Sequence, residues 1–275
     1  GLADVYAVLG GFGHRSPKEY MPKAVEAARK ALSLDDSLAE AHCSLAIALV
    51  FSAWNWEEAE FHFRRALELA PTDSLARFSL GRMLGLLGHP QQAIAMYRQA
   101  IAIDPRNGGI WNWLGWYLAA VGQFEEAEQA ARQAVAVAPG SSFIAAGLML
   151  IQIQRGETSA ALGSAQQAPP DIWRDIALAF ALQGGDDRAA ADAALKDLIE
   201  KSADGSAYQI AEVYALRKEP ENMFRWLDRA WDTRDSGIGR LLTDPFILRY
   251  RDDPRFAAFC KKVGLPTTTD AKAMP

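Results

Sequence analysis

Only two cysteines, Cys43 and Cys260, occur in the 275 residues, and they lie 217 positions apart with no CxxC pair. That scarcity argues against a disulfide framework or a cysteine zinc site and favours a reducing compartment. A basic excess is missing too: 29 Lys and Arg stand against 34 Asp and Glu, for a net charge of -5 and a pI near 5.5. A nucleic-acid-binding surface needs a basic face to neutralise phosphates, so no nucleic acid is expected as a partner. Nor does any run approach about 18 consecutive apolar residues, so no membrane insertion is expected within this sequence. The opening GLADVYAVLG lacks a basic start and a signal-type cleavage site.

Signatures of catalysis are equally scarce. His14, His42, His62 and His89 form no HExxH and no metal-ligand pairing. The glycine-rich GGFGH at Gly10 to His14 lacks GxxxxGK[ST] and follows a helix-like run rather than a strand, which points to a plain loop. No GxSxG is present. The acidic pairs Glu57-Glu58 and Glu125-Glu126 recur at helix starts, where they complement the positive end of the helix dipole. The expectation is a non-enzymatic chain with no catalytic residue, no cofactor and no metal.

What the sequence has instead is a period. Aligning PKAVEAARKALSLDD, EEAEFHFRRALELAP, QQAIAMYRQAIAIDP and EEAEQAARQAVAVAP superposes Ala24, Ala59, Ala93 and Ala127, at separations of 35, 34 and 34. Pro71, Pro105 and Pro139 repeat at 34, as do the turn glycines Gly88 and Gly122. Each unit reads as two helices. In the fourth, Trp111, Leu114 and Leu118 share one helical face and Gly122 ends the run at the left-handed cap. The second helix then places Ala127, Ala131 and Ala134 on one face before Pro139 stops it. Small residues at Gly115 and Ala127, and at Gly81 and Ala93 one unit earlier, let the paired backbones approach to about 8–10 Å.

On these residues the chain resembles a tetratricopeptide repeat protein. The match runs through Trp111-x2-Leu114-Gly115 with Gly122, Ala127, Ala134 and Pro139, and through Leu80-Gly81 with Gly88, Ala93, Tyr97, Ala100 and Pro105. Leu45-Ala46, Ala59, Phe63, Ala66 and Pro71 make a third unit. The resemblance implies an all-α fold, a right-handed superhelix (α-solenoid) of about seven helix-turn-helix units with a C-terminal capping segment. Regular units are expected over 1–140, the first truncated at its start and followed by a loop from Gly11 to Pro22. Degenerate units are expected over 141–235, where Gly156 and Ala161 keep the register, Pro169-Pro170 cut a helix short, and Lys218 replaces the turn glycine. Capping helices broken by Pro245 and Pro254 are expected over 236–266, with a mobile polar tail over 267–275.

In this family the first helices of successive units line a concave groove. Carried over by register, the groove positions are Cys43, Ile47, Val50 and Phe51; Phe78, Arg82 and Leu86; Asn112, Trp116 and Ala120; Phe143, Leu150 and Gln154; and Tyr208 and Glu212. The expected partner-binding set is Ile47, Phe51, Phe78, Arg82, Leu86, Asn112, Trp116, Phe143, Gln154 and Tyr208, with Arg82, Asn112 and Gln154 orienting a bound protein or peptide. Such apolar and aromatic character on a solvent-facing surface marks a partner site. Cys43 and Ile47 stand where chaperone-tail binders carry asparagine and lysine, which argues against a carboxylate clamp.

A finer likeness covers nearly the whole chain. GLADVYAVLG, WNWEEAEFHFRRALELAP, WLDRAWDTRDSGI and DPFILRYRDDPRF are similar to the C-terminal repeat arm of bacterial multidomain regulators, which carry an adenylate cyclase, protein kinase or winged-helix domain ahead of the repeats. This implies a regulatory or sensory arm in the cytoplasm, or in the periplasm if a membrane segment precedes residue 1, and leaves homo-oligomerisation open. Two other readings stand beside it: a small-molecule sensor using the aromatic groove, and the substrate-guiding arm of an enzyme such as a glycosyltransferase.

Overall fold

The computed structural model describes residues 1–11, 17–52 and 55–267; the side chains of a few helical residues, Phe51 among them, also lie outside the described set. Among the described residues, fourteen helices follow one another in seven pairs. These are α1 (Leu2–Gly11) with α2 (Pro17–Leu34), α3 (Ala39–Ser52) with α4 (Trp56–Leu69), and α5 (Ser74–Leu86) with α6 (Pro90–Ile103). Next come α7 (Gly108–Ala120) with α8 (Phe124–Val137), and α9 (Ser142–Gln154) with α10 (Thr158–Gln167). The last are α11 (Ile172–Ala181) with α12 (Arg188–Ser202), and α13 (Ala207–Leu216) with α14 (Pro220–Thr233). Each odd-numbered helix packs on its partner and on the next odd-numbered one, so α3, α5, α7, α9, α11 and α13 form a continuous inner layer. The result is an all-helical solenoid, and among the described residues it contains no strand.

The 34-residue period is also a period of helix caps. Two residues after the prolines at 71, 105 and 139 stand Asp73, Asn107 and Ser141. Asp73 accepts from the N–H groups of Leu75 and Ala76, Asn107 from Gly109 and Ile110, and Ser141 from Ile144. Each proline stops an outer helix and each cap starts the next inner one, a contribution of about 1 kcal/mol per cap. Gly88, Gly122 and Gly156 turn the chain inside each unit with φ of 83°, 81° and 79°. Lys218 takes the same left-handed conformation, φ 60°, in the seventh pair.

The two layers differ in character. Outer helices such as α8, FEEAEQAARQAVAV, bury one alanine face and leave glutamates and arginine in water. Inner helices such as α9, SFIAAGLMLIQIQ, are apolar nearly all round, which requires cover on every side. Close packing follows the small residues: a Cβ at Gly115 would lie 3.0 Å from the Ala127 carbonyl oxygen, and the Tyr117 ring occupies the space beside Gly85.

Two expectations are corrected. The stretch Gly11 to Pro22 is not all loop: α2 begins at Pro17, a residue suited to the first helical position, and carries Pro22 inside it at an exposed point. Gly10 and Gly11 of the GGFGH stretch are the end of α1; the rest of that stretch, His14 included, lies outside the described residues. Beyond residue 140, α9 and α10 continue the stack. At the C-terminus α15 (Pro254–Val263) packs on α14. Arg255 reaches Glu221 at 2.8 Å and lies over the Phe224 ring, and Lys262 meets Asp228 at 2.7 Å. The stretch before α15 goes elsewhere, into the concave face. Residues 268–275 of the expected tail lie outside the described set.

Candidate functional site

The inner layer presents a row of aromatic rings. Tyr117 stacks on Tyr97 with centroids 5.5 Å apart, Trp113 lies 6.1 Å from Tyr117 and 5.0 Å from Trp116, and Trp116 meets Phe143 edge-on at 5.8 Å. Phe143 continues the row to Trp173 at 4.7 Å. Arg82 sits over Trp113 at 4.9 Å and Phe78 at 6.0 Å. Burial among these rings lowers the pKa of Arg82, and burial pushes the Tyr117 phenol up to about 12.

This row is covered by the chain itself. After α14 the backbone turns at Arg234, φ 60°, and a segment here termed the strap, Ser236 to Tyr250, crosses the inner layer from α5 toward α13 with two 3-10 turns, Ser236–Arg240 and Ile247–Tyr250. Of its apolar residues, Ile238, Leu241, Phe246 and Ile247 are buried and Leu242 and Leu248 are half-buried. Phe246 packs on Phe180 of α11, centroids 5.9 Å apart, and Tyr250 donates to the Ala215 carbonyl of α13 at 3.0 Å. Thr243 and Tyr117 of α7 line one small void, and a Cβ placed on Gly239 would meet Leu86 of α5 at 3.3 Å. Beyond α15 the Trp56 indole N–H, at the start of α4, donates to the Gly264 carbonyl at 2.9 Å. The C-terminal segment thus returns from the seventh helix pair to the second.

Polar chemistry concentrates where the strap crosses α7 and α13. The Arg240 guanidinium lies 4.4 Å from the Trp116 ring and 5.2 Å from Tyr208, and donates to Glu212 Oε2 at 2.6 Å. Glu212 is only 1% exposed. Tyr208 donates its hydroxyl to Asp244 at 3.1 Å, and the other Asp244 oxygen accepts from the N–H groups of Phe246 and Ile247 at 2.9 and 3.1 Å. Asp244 is therefore held as the acceptor. Glu212, desolvated by burial and close to the charge of Asp244, has its pKa raised well above the ordinary carboxyl range.

Little space remains between strap and solenoid. Three small voids lie along the contact, of about 20, 30 and 20 Å³. Each is about the size of one water. Ile47, Arg82 and Leu86 line the first, Trp116 and Gln154 the second, and Leu86 the third. Phe78, beside Arg82, and Tyr208, under the strap, are buried, and Phe143 stands behind Trp116. Asn112 is placed differently from its expected groove position. It is 0% exposed, its amide packed against Gly147 between α7 and α9, because glycine there leaves the space an asparagine side chain fills. Phe51 lies outside the described side chains. Sequence register passed over Trp113 and Tyr117, whose rings complete the row; the glycine at Gly85, facing Tyr117, is the signal that a bulky neighbour needs that space. It also passed over the strap, whose LLTDPFI carries apolar residues in no helical period and so has to be buried by something else.

Among the described residues no helix is long and apolar enough to cross a membrane, and no group of three or more His, Cys, Asp or Glu is placed to hold a metal. No curated protein sequence matches the chain. Solved structures show the fold. A chain of the APC/C hetero-tetramer Cut9-Hcn1 superposes with a TM-score of 0.63 at 16% identity, over 95% of this chain and 48% of that one, so this chain spans about half the length of that neighbour. PilW, a type IV pilus biogenesis factor, gives 0.54 at 16% identity over 71% of this chain and 93% of its own. The PilF protein of Pseudomonas aeruginosa gives 0.50 at 19% over 83% and 98%. Two family models, both described as tetratricopeptide repeat, match residues 62–95 and 86–150. The segment with the clearest period is thus built of tetratricopeptide repeats, set in a helical solenoid that continues on both sides of them.

Proposed function

We propose that the chain is a non-enzymatic protein-interaction scaffold whose concave groove takes an extended peptide segment of a partner, and that it acts as the regulatory or sensory arm of a bacterial signalling protein. One observation carries the peptide reading: the groove already holds a peptide, its own strap, seated by apolar anchors and a partly buried arginine. Repeat solenoids commonly offer their concave side as an extended binding surface. A partner enters by displacing the strap, so the groove exists in covered and open forms. The signalling context rests on the likeness of the terminal segments to the repeat arm of multidomain regulators. A small-molecule sensor draws no support from the covered form, since voids of about 20–30 Å³ fall far below the roughly 300 Å³ a drug-sized ligand needs.

The test is binding of a dye-labelled peptide, Ser236 to Tyr250, to the full chain and to a chain carrying Arg240→Ala and Phe246→Ala, which loosen the strap at two anchors. Binding to the loosened chain at micromolar concentration, with little to the unaltered one, supports a peptide groove. Absence of binding to both refutes it.

A further inference from the structure

We infer that the groove contains an arginine slot formed by Trp116, Tyr208 and Glu212, and that the partner segment competing with the strap places an arginine in it; this rests on the peptide reading above. The three residues come from α7 and α13, and none belongs to the strap, so the solenoid itself builds the slot. Arg240 occupies it in cis, its guanidinium 4.4 Å from the Trp116 ring and 5.2 Å from the Tyr208 ring, with Glu212 Oε2 accepting at 2.6 Å. Aromatic faces attract cations through the ring quadrupole, and a planar guanidinium stacks where an ammonium cannot.

Charge complementarity selects the occupant. When the strap leaves, Arg240 and Asp244 leave together, and Glu212 loses both the donor and the second carboxyl it faces. A carboxyl at 1% exposure in the covered form then faces the groove between two aromatic rings. An acidic or phosphorylated segment meets repulsion there, whereas an arginine restores the pair. The strap also shows what may stand beside the arginine. Gly237 and Gly239 precede it, and a Cβ at Gly237 would press into Tyr208 at 2.6 Å, while Ile238 and Leu241 on either side are buried. The matching partner segment has an arginine between apolar residues, with small residues just before it.

The same labelled peptide, Ser236 to Tyr250, tests this on the full chain carrying Arg240→Ala and Phe246→Ala. The peptide with arginine binds, its Arg240→Gln version binds at least about tenfold more weakly, and Arg240→Lys falls between them. Adding Glu212→Gln to the chain shrinks the arginine preference to within about threefold. Equal affinity of the arginine and glutamine peptides overturns the slot while leaving the groove reading intact; no binding of any peptide at about 1 mM overturns both. Should the doubly altered chain not fold, hydrogen exchange on the full chain with Arg240→Lys replaces it. Exchange of the strap amides is expected to rise about tenfold with α6 to α8 unchanged. Strap exchange equal to that of the unaltered chain overturns the slot.

Discussion

Replacing Phe246 by alanine asks whether the strap is a separate, openable part of the molecule. The ring is 1% exposed and packs against Phe180, while the Asp244 carboxylate that caps this turn is untouched by the change. Truncating a buried phenylalanine costs about 3–5 kcal/mol. The helix pairs of the solenoid make their own contacts, so this loss falls on docking of the strap rather than on the stack. At about 1.4 kcal/mol per decade, the open population grows by roughly two to three and a half decades. Hydrogen exchange reads it directly: amides of Ser236 to Tyr250 lose protection by that factor, while those of α6, α7 and α8 keep theirs. Trypsin should also begin to cut after Arg240. If the inner helices lose protection in step with the strap, the strap is part of one cooperative core and the displacement mechanism fails.

Two further outcomes follow from the geometry. Lys218→Gly relieves a left-handed backbone that glycine occupies in three other units, and the chain should gain about 0.5–1 kcal/mol, read as a melting temperature a few degrees higher; an unchanged or lower melting temperature contradicts the strain. The raised pKa of Glu212 means that the folded chain holds its proton to a higher pH than the unfolded chain does. Its contribution is complete below the ordinary carboxyl pKa of about 4.3 and fades as pH rises through the higher folded value. Denaturation of the wild type should therefore lose stability relative to Glu212→Gln as pH is raised; parallel pH curves would show that Glu212 is not the titrating group.

The stack was readable because the same physical demands recur in it every 34 residues. Pro71, Pro105 and Pro139 stop helices, Asp73, Asn107 and Ser141 start them, and Gly88, Gly122 and Gly156 turn left-handed, each by chemistry that any unit must repeat. Ile47, Arg82, Leu86, Trp116 and Gln154, placed toward the groove by the same register, line the small voids beside the strap. Their cover was not readable. The strap occurs once, has no period, and its seating depends on contacts such as Arg240 with Trp116 that join residues far apart in sequence. One hint was present in the inner helices: α9 has no polar stripe to turn toward water, which makes an uncovered concave face costly. Asn112 shows the converse, a polar residue at a groove position by register whose destination is set by the bare backbone of Gly147 across the helix contact.

The hydrogen bond from Trp56 to Gly264 joins positions 208 residues apart. A solenoid with free ends behaves as a spring, each coil answering only to its neighbours, and it can fray inward from either terminus. Tied across its hollow, the same stack becomes a clasp. Fraying from the last coil must first break the tie, and stretching the coils loads the tie before it loads any single helix pair. A partner that pries the strap loose would therefore also soften the whole molecule, turning occupancy of the groove into a change of stiffness felt at both ends.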